Sequence, residues 1–326
     1  MDERSIPSSG PVSAKQLLDR LTQQLKAAEE AREAGKLTVR TASRSEDRDF
    51  VDARTEVLRL LALRLDMKVS RLRLDLPQLQ LSAEDAAWLE EACGRLAADE
   101  PFAYVAGQTD FAGLVIHVGP GVLIPRPDSE VLVWQAARII GQEARPGRPW
   151  TVLDLGTGSG ALSLALHRAV SQAWPQLKLR ILGTDLSPEA LDWAKRNRQA
   201  QGLEEDFTLI ACDLLPEPQL AARWQADMVL CNPPYVTRSG LRFLDASVRD
   251  HEPREAFDGG PDGLDYYRRL AVELGPWLRP GAHLLVEHSD RQQAEVEAIF
   301  KAESFTVEKR LQDLAGRPRA LWLRFS

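Results

Sequence analysis

The residues best suited to chemistry are four consecutive ones, Asn232-Pro233-Pro234-Tyr235. They follow an apolar run from Asp227 to Cys231, which predicts a buried strand ending at the prolines, because proline cannot donate to a sheet ladder. Asn232 should then lie at the carboxyl end of a central strand, where open α/β sheets bind ligands. Its side-chain oxygen and the Pro233 carbonyl could accept both hydrogens of a planar NH2 group, and Tyr235 could stack on the face of that group. A strand-ending turn with a buried tyrosine is the simpler alternative.

A second candidate site is the glycine-rich stretch at the end of a predicted strand, 151–156. It contains Asp154, Gly156, Thr157, Gly158, Ser159 and Gly160. Glycines at this place allow a ligand to approach the backbone closely, and the helix that follows offers free N–H groups at its N-terminus. The stretch also fits a dinucleotide-binding fingerprint loosely, so alone it does not select a cofactor.

Acidic residues at neighbouring strand ends help to distinguish between the possible cofactors. Asp185 ends the second strand and could accept both hydroxyls of a ribose. Asp213 and Leu214 follow the third strand and could hold the edge and the face of an adenine. Asp154 precedes the glycines, where it could meet an ammonium group. An acid at this loop suits a cationic, phosphate-free nucleoside better than a nicotinamide cofactor, whose pyrophosphate would need the helix N-terminus.

The second half of the chain must position these groups, and it alternates between strand and helix patterns from Trp150 onward. Such alternation predicts a parallel sheet in an α/β fold. The predicted strands are 151–156, 178–185, 207–212, 226–231 and 282–288, and the predicted helices are 159–173, 187–202, 263–278 and 290–303. Two last strands, 305–312 and 319–325, have no helix between them, so we expect an antiparallel pair at one edge.

The first hundred residues carry no glycine loop and no cluster of ligating side chains. Residues 1–12 are expected to be disordered, and 37–48 to form a polar break. Helices are predicted from Ser13 to Lys36, from Asp49 to Met67, and from Ser82 onward, with Ser13 and Ser82 as N-caps. Residues 1–100 are therefore interpreted as a small helical bundle whose use is to recognise a partner.

A connector follows the bundle. Tyr104 to Val118 alternates loosely and carries turn glycines, which predicts a β-hairpin. Pro125-Arg126-Pro127 stiffens an extended segment, and Asp128 is expected to cap the next helix. The predicted organisation is thus a helical domain, 1–100, a hairpin and linker, 101–127, and an α/β domain, 128–326.

The overall composition excludes several classes of protein. Apolar residues make up 44% of the chain and charged residues 27%, as in soluble globular proteins. The net charge of −7 offers no global basic surface for nucleic acid, so we expect no stable nucleic-acid binding. Three scattered cysteines form no disulfide or metal pattern, and His283 and His288 lack a cysteine pair, so no metal is expected. No apolar run has membrane-spanning length, and the expected location is the cytoplasm.

Taken together, the motifs resemble those of the class I S-adenosylmethionine-dependent methyltransferases. The Asn232–Tyr235 motif is similar to that of their amino-methylating branch, and other stretches are similar to the release factor glutamine N5-methyltransferases. These stretches are Glu100-Pro101, Gly107–Phe111, Leu123–Glu130, His251-Glu252-Pro253, Asp258–Leu264 and Leu311–Arg319. The resemblance covers about 45–326. Ser129 stands where the family usually has threonine, a change that keeps the hydroxyl.

The resemblance implies a Rossmann-like, seven-stranded, mostly parallel sheet with an N-terminal all-α bundle and a connecting hairpin. It implies S-adenosylmethionine as cofactor, leaving as S-adenosylhomocysteine, and a bacterial class I release factor as partner, with the glutamine of its Gly-Gly-Gln loop as substrate. The expected cofactor-binding residues are Asp154, Gly156, Thr157, Gly158, Ser159, Gly160, Asp185, Asp213, Leu214 and Asn232. Asn232, Pro233 and Tyr235 are the expected catalytic residues, and Pro234, Phe111 and Arg126 are expected to join them in binding the substrate. A monomer is expected.

Three other functions compete with this interpretation. A DNA adenine-N6 or cytosine-N4 methyltransferase would need a basic groove for a flipped base, which the acidic composition disfavours. A ribosomal-protein glutamine methyltransferase would share the Asn-Pro-Pro-Tyr motif and the chemistry. A non-catalytic binding protein with a degenerate domain is disfavoured by the intact glycine loop, Asp185 and Asn232.

Transfer of a methyl group to an amide nitrogen needs no strong base beforehand, so His251 and Glu252 are expected to position the substrate loop or close the pocket.

Overall fold

The computed structural model describes residues 11–36, 52–313 and 315–326. The expected disorder of 1–12 falls almost wholly outside these ranges, as do the polar break 37–48 and the predicted start of the second helix at Asp49. The chain divides into two compact units, Met1–Ala106 and Gly107–Ser326.

The first unit is helical, as predicted. Its elements are strand β1 (Val12–Ser13), helices α1 (Ala14–Lys36), α2 (Ala53–Arg64) and α3 (Val69–Asp75), strand β2 (Gln80–Leu81), and helices α4 (Ala83–Ala97) and α5 (Phe102–Ala106). Ser82 caps α4 by accepting a hydrogen bond from the Asp85 amide, which confirms that predicted start. The second helix is shorter than predicted, and α3 was not predicted.

Leucines at helical spacing form the core of this unit. Leu17, Leu18, Leu21 and Leu25 of α1 are all at most 3% exposed, and they pack in one cluster with buried leucines of α2 and α4. This stripe is the one that predicted the first helix. Burying each leucine contributes roughly 1.5–3 kcal/mol to folding, so the face that α1 turns inward holds the bundle together.

The second unit opens with the predicted hairpin, β3 (Gln108–Phe111) and β4 (Leu114–His117). The hairpin is shorter than predicted, because the chain from Tyr104 to Ala106 belongs to α5. Asn197 attaches the hairpin to the sheet domain: its side chain accepts from the His117 amide at 2.7 Å and donates to the Ser159 carbonyl at 3.0 Å.

A seven-stranded sheet forms the centre of the second unit. Its strands are β5 (Trp150–Leu155), β6 (Leu179–Asp185), β7 (Phe207–Ala211), β8 (Ala226–Cys231), β9 (Leu278–Glu287), β10 (Phe305–Gln312) and β11 (Pro318–Phe325), in the order β10-β11-β9-β8-β5-β6-β7. Strands β5 to β9 pair in parallel, and β11 pairs antiparallel with both β9 and β10. The mostly parallel sheet and its antiparallel edge pair are confirmed.

Helices flank or connect the strands of this sheet: α6 (Glu130–Glu143), α7 (Ala161–Ala173), α8 (Pro188–Ala200), α9 (Ala246–Arg249), α10 (Asp265–Glu273) and α11 (Gln293–Lys301). All lie near predicted positions except the short α9, which was not predicted. Helix α10 ends earlier than predicted, and a 3₁₀ turn containing Pro276 follows it. The predicted cap of α6 is wrong: Asp128 lies inside a 3₁₀ turn, Pro127–Ser129, and its carboxylate pairs with Arg319 at 2.8 Å.

The described ranges contain neither a membrane-spanning helix nor a cluster of metal-ligating side chains. No helix there is both long enough and apolar enough to cross a bilayer. The same residues contain no group of three or more histidine, cysteine or acidic side chains placed to hold a metal ion.

Candidate active site

A cavity of about 600 Å³ lies at the carboxyl ends of β5, β6 and β8 within the second unit. This is the edge at which open α/β sheets bind ligands. Most of the residues predicted to form a site line it: Phe111, Arg126, Gly156, Thr157, Gly158, Ser159, Asp185, Asp213, Leu214, Asn232, Pro233 and Pro234. The two motifs that are far apart in the sequence therefore share one cavity.

The glycine loop adopts a backbone that requires glycine. Gly156, Gly158 and Gly160 have φ angles of 69°, 55° and 81°, in the left-handed region that side chains disfavour. The Thr157 amide donates to the Thr184 carbonyl at 2.8 Å, which ties the loop to the end of β6. The loop is thus fixed before any ligand arrives, and a ligand at the cavity wall can approach its backbone.

Asp154 supports this loop from below. It is fully buried, and its Oδ2 accepts hydrogen bonds from the Thr157 hydroxyl at 2.7 Å and the Ser163 hydroxyl at 2.6 Å. Burial raises its pKa to about 6, although both hydroxyl bonds act in the opposite direction. Asp154 does not line the cavity in the described chain, and its Oδ1 has no protein partner there. Its contact with an ammonium group stays a prediction.

Asp185 is placed to face a ligand. Its two oxygens accept from the Gly158 amide at 2.8 Å and the Ser187 amide at 2.9 Å, which fixes the carboxylate at the cavity wall. Burial raises its pKa, and these backbone bonds lower it. A carboxylate has enough lone pairs to accept two hydroxyls in addition, which is what a ribose would require.

Asp213 and Leu214 lie farther along the same wall. Asp213 pairs with Arg269 of α10 at 2.8 Å. Leu214 is buried with φ of 66°, and its carbonyl accepts a hydrogen bond from the Thr184 hydroxyl at 2.7 Å. This strained backbone turns the chain after β7, so that the leucine side chain forms an apolar part of the cavity.

Asn232 belongs to a chain of hydrogen bonds that leads from the cavity to the buried Glu287. Its Nδ2 donates to the Ser129 hydroxyl at 3.0 Å, and that hydroxyl donates to Glu287 Oε2 at 2.5 Å. The Tyr235 hydroxyl donates to the other oxygen of Glu287 at 3.3 Å. Burial raises the pKa of Glu287 to about 7, while Ser129 and Arg319 act against that shift.

Tyr235 lies away from the cavity in this structure. It is not among the cavity-lining residues of the described chain, and its backbone carbonyl accepts from the Gln292 side chain at 3.0 Å. Burial and the Glu287 charge raise its pKa above its usual value, so it stays a neutral hydroxyl donor. Its packing against a substrate amide stays a prediction.

The Pro-Arg-Pro segment and the His251-Glu252-Pro253 segment meet at the cavity rim. Glu252 is 6% exposed; one of its oxygens pairs with the Arg126 guanidinium, and the other accepts from the Ile124 amide at 3.0 Å. Arg126 and Pro253 both line the cavity. Glu252 therefore holds two distant segments together, in agreement with a positioning role.

The sequence did not indicate Glu287 as a site residue. For Ser129 it indicated only that the hydroxyl of the family's usual threonine is kept. Glu287 ends β9 one residue before His288, so a strand-end acid was visible in the pattern, like Asp185 in β6. Glu287 is 1% exposed, and its strand has β8 on one side and β11 on the other. Burial of a carboxylate with three polar neighbours is the feature that marks it, and only the fold shows it.

Comparisons with known proteins agree with this geometry. A family model described as "Methyltransferase domain" matches 148–317. The catalytic domain of hMettl16, solved in complex with a hairpin of the MAT2A 3′UTR, superposes with a TM-score of 0.50 at 16% identity, covering 75% of this chain and 82% of that one. The fold and the site define an S-adenosylmethionine-dependent methyltransferase, which confirms the expected enzyme class and cofactor.

Sequence relatives narrow the class further. A release factor glutamine methyltransferase of Bradyrhizobium diazoefficiens is 33% identical over 87% of this chain and 92% of its own length. One from Mycobacterium tuberculosis is 38% identical, covering 67% of this chain and 68% of its own length. The chain belongs to the release factor glutamine methyltransferase family, which confirms the resemblance given by the motifs.

The described residues fit the family's cofactor. The glycine loop presents its backbone, Asp185 presents a fixed carboxylate, and Leu214 presents an apolar surface, all to one cavity. Oδ1 of buried Asp154, which has no hydrogen-bond partner within the described part of the chain, adds negative potential close to the loop. These charges suit a sulfonium and ammonium ligand and oppose a pyrophosphate.

Proposed function

We propose that this protein methylates the side-chain amide nitrogen of the glutamine in the Gly-Gly-Gln loop of a bacterial class I release factor. The observation that carries the proposal is the position of Asn232: it lines the same cavity as the glycine loop, and its amide is oriented by Ser129. The relatives from Bradyrhizobium diazoefficiens and Mycobacterium tuberculosis, both named release factor glutamine methyltransferases, supply the substrate class.

The chemical difficulty is that an amide nitrogen is a poor nucleophile, since its lone pair is delocalised into the carbonyl. Asn232 Oδ1 and the Pro233 carbonyl can accept the two amide hydrogens and hold the nitrogen toward the cavity. Because both acceptors are fixed in advance, they also favour the positive charge that develops on nitrogen. S-adenosylmethionine, when bound, supplies an electrophilic methyl group on sulfur. Alignment of that group with the nitrogen provides much of the remaining acceleration.

The proton leaves after the transfer, when the nitrogen has become acidic, so no strong base is required at the site. This agrees with the structure, in which Glu252 is already engaged with Arg126 and the Ile124 amide. Phe111, 1% exposed and part of the cavity wall, is proposed to pack against the flat amide, and Arg126 to contact the substrate loop.

We further propose that the helical domain, 1–100, recognises the release factor, that 101–127 acts as hairpin and linker, and that 128–326 is the catalytic domain. The protein is proposed to be a cytoplasmic monomer that does not retain nucleic acid. Size-exclusion chromatography with light scattering tests whether the protein is a monomer. Retention on duplex DNA at low salt tests whether it binds nucleic acid. Tight duplex binding that weakens steeply with salt would contradict a protein substrate.

The substrate is tested by incubating the protein with S-adenosylmethionine and unmodified release factor, followed by peptide mass spectrometry. A gain of one methylene on the Gly-Gly-Gln glutamine is expected. The Asn232→Ala variant should lower kcat by about 10²–10³-fold, as for loss of a preorganised group at a developing charge. The matched control is Gln199→Ala, which removes an exposed side-chain amide from α8 and should leave the rate unchanged. Methylation of a ribosomal protein or DNA instead would assign the chemistry to another acceptor.

A further inference from the structure

We propose that Glu287 is a positioning residue that, through the Ser129 hydroxyl, fixes which end of the Asn232 amide faces the substrate. The proposal rests on the proposed function, since it concerns how an amide-holding group is oriented. It adds Glu287 and Ser129 to the residues on which the rate depends, although Glu287 does not line the cavity.

The geometry connects three separate elements. Asn232 follows β8, Ser129 precedes α6, and Glu287 ends β9, and their side chains are joined by bonds of 3.0 Å and 2.5 Å. Ser129 is 3% exposed and Glu287 1% exposed, so the bond between them is shielded from water, while Asn232 is partly exposed at the cavity. A chain of buried side-chain bonds in a low dielectric is stronger than the same bonds in water.

The direction of the chain follows from the inventory of donors and acceptors. An ionised carboxylate can only accept, so the single hydroxyl hydrogen of Ser129 must point to Glu287. The oxygen of Ser129 is then left only with lone pairs, and it can bond the NH2 group of Asn232 but not its carbonyl. Asn232 Oδ1 consequently points away from Ser129, and it has no protein donor among the described residues.

The opposite orientation would defeat the site. If Ser129 could donate to Asn232, the asparagine could turn over and present its NH2 group to the NH2 group of the substrate. Two donors facing each other cannot bond, and the amide would not be held. The charge on Glu287 is what forbids this arrangement. Donation by Asn232 into an anionic chain also polarises its amide, which makes Oδ1 a better acceptor.

Glu287 holds the second end of the motif as well. Its Oε1 accepts from the Tyr235 hydroxyl at 3.3 Å. One carboxylate therefore supports both ends of the Asn232–Tyr235 motif, Asn232 through Ser129 and Tyr235 directly. The charged groups that face Glu287 are Arg319 of β11 and Asp128 before α6, and the buried thiol of Cys231 at the end of β8 is a further titratable group near it. Tyr267 of α10 approaches too, but its hydroxyl donates to the backbone carbonyl of Glu287 at 2.9 Å.

The test compares Glu287→Gln with the wild type. Glutamine keeps the size of the side chain but can donate to Ser129, which releases the constraint on Asn232. We expect kcat/KM for the release factor to fall about 10- to 100-fold, mainly through kcat, as for other groups that orient a reacting residue. The dissociation constant for S-adenosylhomocysteine, measured by calorimetry, should stay within about three-fold of the wild type, because Glu287 is not part of the cavity wall.

The pH profile provides a second readout. A carboxylate that titrates near neutral pH should give wild-type kcat an acidic limb, with activity lost as pH falls through about 7. Glu287→Gln should remove this limb. The matched control is Glu297→Gln, which changes another buried carboxylate, one paired with Lys301 and Arg310, and should retain both rate and limb.

Ser129 variants keep the test independent of folding defects in Glu287→Gln. Ser129→Thr retains the hydroxyl and should keep most of the activity, whereas Ser129→Ala should lose as much as Glu287→Gln. Equal activity of the threonine and alanine variants would overturn the proposal, as would a Glu287→Gln variant with wild-type rate and pH profile. If the wild type methylates another amide or amine acceptor instead of the release factor, the substrate proposal fails. The same variants, assayed on that acceptor, still decide the role of Glu287.

Discussion

Gly183, in the middle of β6, is the residue at which the structure predicts the clearest effect of one added carbon. A Cβ placed there would lie 2.7 Å from Phe207 Cε2, 3.0 Å from Leu209 Cδ2 and 3.0 Å from Thr157 Oγ1. The first of these distances is shorter than carbon atoms tolerate, so a neighbour must move. The Gly183→Ala variant should therefore be destabilised although the change is a single methyl group.

The magnitude follows from how little the neighbours can yield. Phe207 is fully buried, and its ring also lies 3.2 Å from the position of a Cβ on Gly160, so it is enclosed on two sides. Overpacking of this kind costs about 1–3 kcal/mol, against a gain of about 0.4–1 kcal/mol from a less flexible unfolded chain. We expect a net loss of roughly 1–2 kcal/mol in the free energy of unfolding, which lowers Tm by about 2–8 °C.

The added methyl group of Gly183→Ala should also disturb the glycine loop, which is proposed to bind the cofactor. Thr157 is one of the three contacts, and its displacement would break its 2.7 Å hydrogen bond to Asp154. The glycine loop would shift with it, and the Kd for S-adenosylmethionine should rise about ten-fold, equivalent to ~1.4 kcal/mol. Calorimetric titration measures this directly, and thermal unfolding followed by circular dichroism measures the change in stability.

Gly94→Ala is the matched control, since it makes the same chemical change in a helix. Gly94 lies within α4, is exposed, and a Cβ there would meet nothing within 4 Å. Alanine is the better helix former, so this variant should be more stable by about 0.5–1 kcal/mol. The steric reasoning is refuted if Gly183→Ala unfolds and binds the cofactor like the wild type, or if both alanine variants shift Tm in the same direction.

Two further substitutions test the supports of the site. Glu252→Gln removes the anionic partner of Arg126. KM for the release factor, from steady-state kinetics, should rise about ten-fold, and the free energy of unfolding, from denaturant titration, should fall by about 2 kcal/mol. An unchanged KM would show that Arg126 does not contribute to substrate binding. Asp154→Asn tests how stability depends on pH. Burial raises the folded-state pKa of Asp154 to about 6, so the folded protein binds a proton that the unfolded chain releases near 3.8. This one group should therefore contribute about 3 kcal/mol of stability at low pH that is lost as pH rises from about 4 to 6. The variant should lack this loss, and unfolding curves at pH 4, 5, 6 and 7 would show parallel pH dependence in both proteins if the assignment is wrong.

The sequence predicted the sheet and the cavity-lining residues well because both depend on local patterns. Each buried strand reads as an apolar run, and the residues that follow it must lie at the carboxyl edge of a parallel sheet. Asp185 and Asn232 could therefore be placed in one cavity without knowing the strand order. The leucine stripe of α1 was equally local, since its 3.6-residue spacing defines a face.

The errors lie where local and long-range interactions compete. Asp128 has the composition of an N-cap, but its carboxylate pairs with Arg319, which lies on a strand near the end of the chain. Helix α3 has seven residues and one buried side chain, Leu72, so it shows too little periodicity to be predicted. The bonds from Asn232 through Ser129 to Glu287 join three elements, and no spacing in the sequence indicates that these elements meet.

The order of the strands has a consequence for how such enzymes diversify. The chain builds β5, β6 and β7 outward in one direction and then returns to add β8 and β9 on the other side of β5. The residues proposed for the methyl donor thus lie in one stretch, 154–214, whereas those proposed to face the acceptor flank it, at Phe111 and Arg126 before it and from Asn232 after it. Mutation, insertion or recombination can alter the flanking stretches while the central one is inherited intact. A lineage with this topology can exchange one acceptor for another, amide or nucleobase, without having to reinvent its donor half.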